Sequence, residues 1–167
     1  MLYLLDANVL IDASRDYYQF DRVPEFWEWL VEAGANGHVK IPLEVYEEIK
    51  DGKSNEDALA TWAKDKAVED ALLLQEESDP KLVGVIVDEG YAPDLTDDEV
   101  EERGRDPFLI SYALLKPLER CVVTTEVSKP NKKRANRKLP DVCRQFNVHC
   151  CHSFDFIKKA DFKTKRK

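Results

Sequence analysis

The chain has 167 residues, of which 43% are hydrophobic and 35% charged, and its formal net charge at pH 7 is -8. This length suits one compact domain with its own core, and this composition excludes a disordered chain. No apolar run approaches the roughly 20 residues of a membrane-spanning helix, and the N-terminus lacks the pattern of a signal peptide, so we expect a cytoplasmic protein that does not enter a membrane.

The first half of the chain predicts short strands separated by helices. Leu2–Leu5 is an apolar run without alternation, which is typical of a strand covered on both faces. Residues 24–34 predict a helix that begins at a proline and ends at a glycine, and residues 39–41 predict a second strand. A further helix opens at Pro42 and ends at Gly52, and residues 55 to about 75 have a helical pattern.

The second half continues this alternation. Residues 81–87 fit either a strand or a continued helix, and residues 95–105 predict an acidic loop with a short helix. Asp106 and Pro107 are typical of a helix start, with the aspartate at the N-cap. Residues 121–124 predict a strand, residues 140–146 a short helix, and residues 148–151 a last strand. Strands that alternate with helices indicate a parallel sheet with helices on both faces.

Four acidic residues are predicted to meet at one edge of this sheet. Asp6 and Glu126 follow predicted strands, Glu48 lies in the helix after the second strand, and Asp106 opens a helix that leads to the third. Parallel sheets bind ligands at the carboxyl ends of their strands. Crowded carboxylates repel one another unless a cation balances them, and hard divalent ions prefer oxygen ligands. The sequence therefore predicts a Mg²⁺ or Mn²⁺ site that can support phosphodiester hydrolysis.

The second helix offers three glutamates for this site, and we predict Glu48. Val45 and Ile49 are four residues apart and face the core together. Glu48 lies beside this buried stripe, whereas Glu47 points away from it and Glu44 is the closer rival.

Four segments of the chain resemble, in the right order, the motifs of the PIN-domain ribonucleases found in many toxin–antitoxin systems. The segments are Tyr3–Ile11, Ile41–Ile49, Asp106–Leu114 and Val122–Glu126. The resemblance spans about residues 2–157, so we expect one nuclease domain over residues 1–157 and a basic tail over residues 158–167.

The resemblance implies a three-layer α/β/α sandwich around a mostly parallel sheet of four or five strands. It also implies cleavage of single-stranded RNA, an antitoxin protein as partner and a homodimer. Asp6, Glu48 and Asp106 would bind the metal, and Glu126 completes the catalytic set. The family more often has Asp in the place of Glu126, which leaves Asp141 as the alternative fourth metal ligand.

A basic stretch lies between the fourth motif and the end of the chain. Residues 116–167 hold 15 Lys and Arg against 5 Asp and Glu, whereas the other 115 residues have a balance of -18. The stretch is densest over residues 129–138, and we expect it to bind RNA phosphates through Lys132, Lys133, Arg134, Arg137 and Lys138. An ordinary solvated loop is the alternative interpretation.

Three further hypotheses remain open at this point. Cys121, Cys143, Cys150 and Cys151 could form a zinc site with neighbouring histidines, but no C-x-x-C spacing supports it and buried free thiols are favoured. A phosphotransferase of the haloacid dehalogenase type would need a second Asp two residues after Asp6, where this chain has Asn8. A PIN-like module that binds without catalysis is the third.

Overall fold

A four-stranded, all-parallel sheet forms the centre of the molecule, with the strand order β2–β1–β3–β4. The computed structural model describes residues 1–52 and 57–164. The strands are β1 (Leu2–Leu5), β2 (Val39–Lys40), β3 (Arg120–Thr124) and β4 (His149–His152). Every residue of β3 is buried, as expected for a central strand that is covered on both faces.

Ten α-helices surround this sheet in the described ranges. They are α1 (Ala7–Asp12), α2 (Pro24–Ala35), α3 (Leu43–Lys50), α4 (Ala58–Ala63), α5 (Lys66–Leu72), α6 (Pro80–Val85), α7 (Asp97–Arg103), α8 (Asp106–Leu114), α9 (Leu139–Gln145) and α10 (Ser153–Lys159). Wider helical turns extend α1 over Ala13–Tyr17 and α6 over Ile86–Tyr91, and Arg134–Asn136 forms a short 3₁₀ helix. None of the helices described is long and apolar enough to cross a membrane.

The helices form a layer on each face of the sheet. On one face, the ring of Phe156 in α10 lies 5.0 Å from that of Tyr3 in β1 and 5.7 Å from that of Trp29 in α2. The helices α8 and α9 also pack against β3. The step from β1 to β2 goes one way across the sheet, and the steps from β2 to β3 and from β3 to β4 go the other way. Because crossovers between parallel strands are right-handed, this change of direction puts α8 and α9 on the opposite face. The predicted α/β/α sandwich is confirmed.

The direction of the chain across the sheet reverses between β1 and β3. The chain leaves β1 for the edge strand β2 and then crosses back to β3 on the other side of β1. Such a reversal opens a crevice at the carboxyl ends of the two strands, where open α/β sheets bind ligands. Asp6 directly follows β1, and Thr124 ends β3.

Several elements differ from the sequence-based expectations. The segment 81–87, which fitted either structure, is helical. The helical region predicted over residues 55–75 consists of α4 and α5, and its first residues lie outside the described ranges. The helices α1 and α10 were not predicted.

The boundary predicted after residue 157 does not mark the end of the packed structure. Helix α10 continues to Lys159. Beyond it, the ring of Phe162 lies 5.1 Å from that of Trp29 and 5.4 Å from that of Phe26. Part of the expected basic tail therefore packs on α2, because the tail contains the apolar Phe162 among its lysines.

Candidate active site

A cleft of about 190 Å³ opens at the carboxyl ends of β1 and β3. Its lining includes all four acids that were predicted to be catalytic, together with two glutamates from α7. The lining carboxylates are Asp6, Glu48, Glu101, Glu102, Asp106 and Glu126. Larger hollows lie elsewhere, such as the 380 Å³ hollow around Trp29 and His38, but Glu32 is the one carboxylate among the described residues that line it.

Asp6 is held at the base of this cleft by the end of the sheet. Its backbone N–H donates to the carbonyl oxygen of Val123 (2.9 Å), and its carboxylate accepts a hydrogen bond of 2.8 Å from the hydroxyl of Thr124. Asp6 is 6% exposed. Burial raises its pKa to about 6, with further contributions from Glu126 and Glu48, although the hydrogen bond from Thr124 opposes the shift. Asp6 is thus an acid that needs a cation beside it to ionise freely.

Asp106 is the first residue of α8 and does not cap the helix. The N-cap is Arg105, and no side-chain capping hydrogen bond is present, so the expected capping role is wrong. The chain turns at Gly104, so that Arg105 takes the N-cap position and Asp106 becomes the first residue inside the helix. Burial raises the pKa of Asp106 well above its ordinary value, and the negative charges of Asp6 and Glu126 raise it further. The carboxylate is therefore available to a ligand.

Glu48 lies at the rim of the cleft, on α3. Val45 and Ile49 are buried, which gives the helix the orientation that the sequence predicted. Partial burial raises the pKa of the Glu48 carboxyl, and the nearby Arg105 opposes this shift. Of the two rival glutamates, neither lines the cleft, and Glu44 accepts a long hydrogen bond from the Tyr112 hydroxyl (3.5 Å).

Glu126 lines the cleft, but both of its carboxylate oxygens have partners in the protein. One accepts from Lys138 Nζ (3.1 Å), and the other accepts from the backbone N–H of Leu139 at the start of α9 (2.7 Å). This arrangement ties the end of the basic stretch to the cleft. The negative charge of Glu126 still raises the pKa values of Asp6 and Asp106.

Asp141 is not part of the cleft lining. Its carboxylate accepts hydrogen bonds from the Ser128 hydroxyl (2.5 Å) and from the backbone N–H of Lys129 (2.7 Å), and it forms an ion pair with Arg144 (3.3 Å). Burial alone would raise its pKa, but these partners lower it. In this conformation Asp141 orders the loop that follows β3, and the structure does not bring it to the three predicted metal ligands.

The side chains that line the cleft are of the type that binds a hard divalent cation, but their positions do not form a complete binding site. The ligand atoms are carboxylate oxygens, and the buried Asp6 repels the half-buried Asp106. As placed, however, no three His, Cys, Asp or Glu side chains within residues 1–52 and 57–164 converge closely enough to hold one ion. Glu48 lies at the rim of the same cleft, so the three predicted ligands line one opening without converging as placed.

The chain matches a known family over residues 3–164, and the description of that family is "Domain of unknown function (DUF4411)". The chain belongs to the DUF4411 family. No curated protein and no solved structure matches it significantly. The matched range includes every residue that lines the acidic cleft, so the cleft is part of the DUF4411 domain itself.

In this DUF4411 domain, the predicted RNA-binding residues divide into two groups. Lys132 and Lys133 are exposed. Arg134 instead forms ion pairs with Glu99 of α7 (2.7 Å) and with the exposed Asp94 in the loop before α7 (2.8 Å). Arg137 donates to the carbonyl oxygen of Gly90, and Lys138 donates to the carboxylate of Glu126. The second group therefore anchors the basic stretch to the protein, and the first group extends from it.

Some residues of the DUF4411 cleft were not predicted from the sequence. Thr124 supplies the hydrogen bond to Asp6, and Arg103 and Arg105 bring positive charge into the acidic lining. The position of Thr124 at the end of the predicted strand beside Asp6 was a usable signal. The two arginines lie in a segment that the sequence showed only as polar and acidic, which carries no signal of its own.

The four cysteines of the DUF4411 domain are free. Cys121 and Cys151 lie on neighbouring strands with their sulfur atoms 3.6 Å apart. No group of three metal-binding side chains forms around them in the described part of the chain.

Proposed function

We propose that this protein is a metal-dependent endoribonuclease whose active site is the acidic cleft. The observation that carries the proposal is the pairing of two poorly hydrated carboxylates, Asp6 and Asp106, at the strand-order reversal. Burial raises the pKa of both carboxyls, and the negative charge of Asp6 raises that of Asp106 further. Two carboxylates that are desolvated together destabilise the fold unless they are balanced, and functional sites are where such arrangements concentrate.

Asp6 and Asp106 would hold a Mg²⁺ or Mn²⁺ ion, and Glu48 would complete the ligand set from the rim. When bound, such an ion activates a water molecule for attack on phosphorus and neutralises charge on the phosphate. Thr124 orients the Asp6 carboxylate through its hydrogen bond and favours the ionised form that binds a cation. Glu126 acts by position, because it joins the cleft to the start of α9.

The choice of RNA as substrate depends on the resemblance to PIN-domain ribonucleases. Their four motifs correspond in order to the segments that supply Asp6, Glu48, Asp106 and Glu126, and these four side chains line one cleft. The exposed lysines after β3 give an otherwise acidic protein a local positive charge that suits RNA phosphates. An antitoxin protein as partner belongs to the same proposal, because toxin nucleases of that family are restrained by antitoxins. A homodimer also belongs to it, because such toxins are commonly dimers.

A cleavage assay with a single-stranded RNA tests the proposal. The purified protein should cleave the RNA with Mg²⁺ or Mn²⁺, and excess EDTA should abolish cleavage. An Asp6→Asn variant with the same far-ultraviolet circular dichroism spectrum should be inactive. An Asp88→Asn variant, which changes an exposed aspartate outside the cleft, is the matched control and should keep full activity. RNA binding without cleavage under all conditions would show a binding module instead.

A further inference from the structure

Arg103, the last residue of α7, lies in the acidic cleft with two unpartnered donors. The residue is 8% exposed, and its Nε and Nη1 atoms are buried without a hydrogen-bond partner among the residues that the structure describes. Within the same residues it forms no ion pair with a cleft carboxylate. A buried charged donor without a partner destabilises the fold, so this side chain is arranged for a group that binds in the cleft.

Arg120 shows what a buried structural arginine looks like in the same molecule. It is 2% exposed, and it donates from Nη1 to the carbonyl oxygen of Tyr112 (2.8 Å) and from Nη2 to the carboxylate of Glu76 (2.5 Å). Only its Nε atom has no partner in the described part of the chain. Arg120 therefore joins elements of the fold, whereas no described hydrogen bond from the Arg103 side chain does so.

Tyr91 and Gly104 position the Arg103 side chain. The guanidinium carbon lies 5.5 Å from the centre of the Tyr91 ring, which is a cation–π distance. Gly104 has φ +61° and ψ -130°, a conformation that residues with a Cβ rarely adopt. This turn allows Arg103 at the end of α7 and Asp106 at the start of α8 to line the same cleft. The guanidinium is thus held in place before any ligand arrives.

We propose that Arg103 binds a non-bridging oxygen of the RNA phosphate that lies at the cleft carboxylates. The proposal rests on the proposed function for the identity of the anion. An arginine matches a phosphate because its planar, permanently charged group donates several hydrogen bonds at once. Arg103 would then supply the positive charge that the carboxylates cannot, and it would fix the phosphate beside Asp6 and Asp106.

The experiment measures RNA binding and stability in the same variants. A labelled single-stranded oligoribonucleotide is titrated by fluorescence anisotropy, once in EDTA and once with Ca²⁺, and thermal unfolding is recorded without RNA. The variants are Arg103→Met, Arg103→Gln and the matched control Arg22→Met, which changes an exposed arginine that pairs with its neighbour Asp21. Loss of charge-assisted hydrogen bonds should weaken binding by about ten- to a hundredfold in both Arg103 variants.

The outcomes separate this proposal from the proposed function. Weaker binding in both Arg103 variants, with an unchanged or higher melting temperature and normal binding by Arg22→Met, supports the assignment. Unchanged binding in folded variants overturns it, and failure of both variants to fold also overturns it because Arg103 is then structural. Absence of RNA cleavage by the wild type would refute the nuclease proposal alone, because the binding titration does not depend on cleavage.

Discussion

Thr124 donates a hydrogen bond of 2.8 Å to the carboxylate of Asp6, although 118 residues separate the two in the sequence. Both residues lie at the carboxyl ends of adjacent parallel strands, so the pairing of β1 with β3 brings them together. Thr124 is completely buried. The hydroxyl stabilises the ionised form of Asp6 in a place where burial favours the neutral form.

Replacement of Thr124 by valine should weaken metal binding, and most at acidic pH. The variant keeps the shape of the side chain but removes the donor, so the pKa of Asp6 rises above its value of about 6. A larger fraction of Asp6 is then protonated near pH 6, and Mn²⁺ affinity should fall there roughly tenfold, for a lost hydrogen bond of about 1.4 kcal/mol. Calorimetric titrations at pH 6 and pH 8 measure this. Thr124→Ser should restore the affinity, and equal losses in both variants would refute the role of the hydroxyl.

Asp6→Asn should stabilise the metal-free protein at pH 7. The substitution removes a buried negative charge that repels Asp106 and Glu126, and the expected gain in the free energy of unfolding is on the order of 1–3 kcal/mol. Urea unfolding in EDTA measures it, with Asp88→Asn as the control that should unfold like the wild type. Added Mn²⁺ should stabilise the wild type and leave Asp6→Asn unchanged. A less stable Asp6→Asn protein would contradict the electrostatic argument.

The pair Glu99 and Arg134 should give stability that disappears in acid. Hydrogen bonds from Arg134, and then from the backbone of Thr96, lower the pKa of Glu99 from 4.5 to about 2. A depressed carboxyl pKa stabilises the folded state above the unfolded pKa, and this contribution is lost as pH falls from about 4.5 towards 2. The variant Glu99→Gln should therefore be less stable than the wild type at pH 7, and the difference should shrink by pH 3. Denaturant unfolding at several pH values tests this against Glu77→Gln, an exposed control. A difference that is independent of pH would rule out the charge as its source.

The exposed lysines after β3 should make the salt-dependent part of RNA binding. Each phosphate contact contributes a slope of about -0.7 in a plot of log affinity against log salt concentration for single strands. Replacing Lys129, Lys132 and Lys133 with glutamine should flatten the slope by about 2 units. Arg134 is left intact because its ion pairs hold α7 and the loop together. A triple variant of the exposed Lys64, Lys81 and Lys116 is the control, and an equal effect in both triple variants would show nonspecific charge rather than a binding loop.

The four strands and most of the helices could be predicted from the sequence because apolar runs and helix starts are local signals. The positions of Asp6 and Glu48 followed from the same signals, since each depends on a neighbouring buried strand or stripe. The anchoring of Arg134 and Arg137 could not be predicted, because their partners Glu99 and Gly90 lie 35 and 47 residues away. A run of basic residues looks the same in a sequence whether its side chains extend into solvent or pair with the fold.

The cleft itself shows the same division. Asp106 was expected to cap α8, and only the turn at Gly104 reveals that it does not. Arg103 gave no signal, because burial without a partner is a property of packing between α7 and the turn that ends at Tyr91. Asp141 had a plausible spacing for a ligand, but its carboxylate is satisfied by Ser128 and Lys129.

The most direct test of the central claim is a Mn²⁺ titration in which RNA cleavage is recorded for the wild type, Glu48→Gln and Glu47→Gln. The two variants change adjacent, exposed glutamates of one helix, and only Glu48 lines the cleft. We predict that cleavage rises with Mn²⁺ in the wild type and in Glu47→Gln, and that Glu48→Gln has lost it at every concentration. Cleavage that persists in EDTA, or equal activity in the two variants, would contradict the claim that this cleft is a metal-dependent nuclease site.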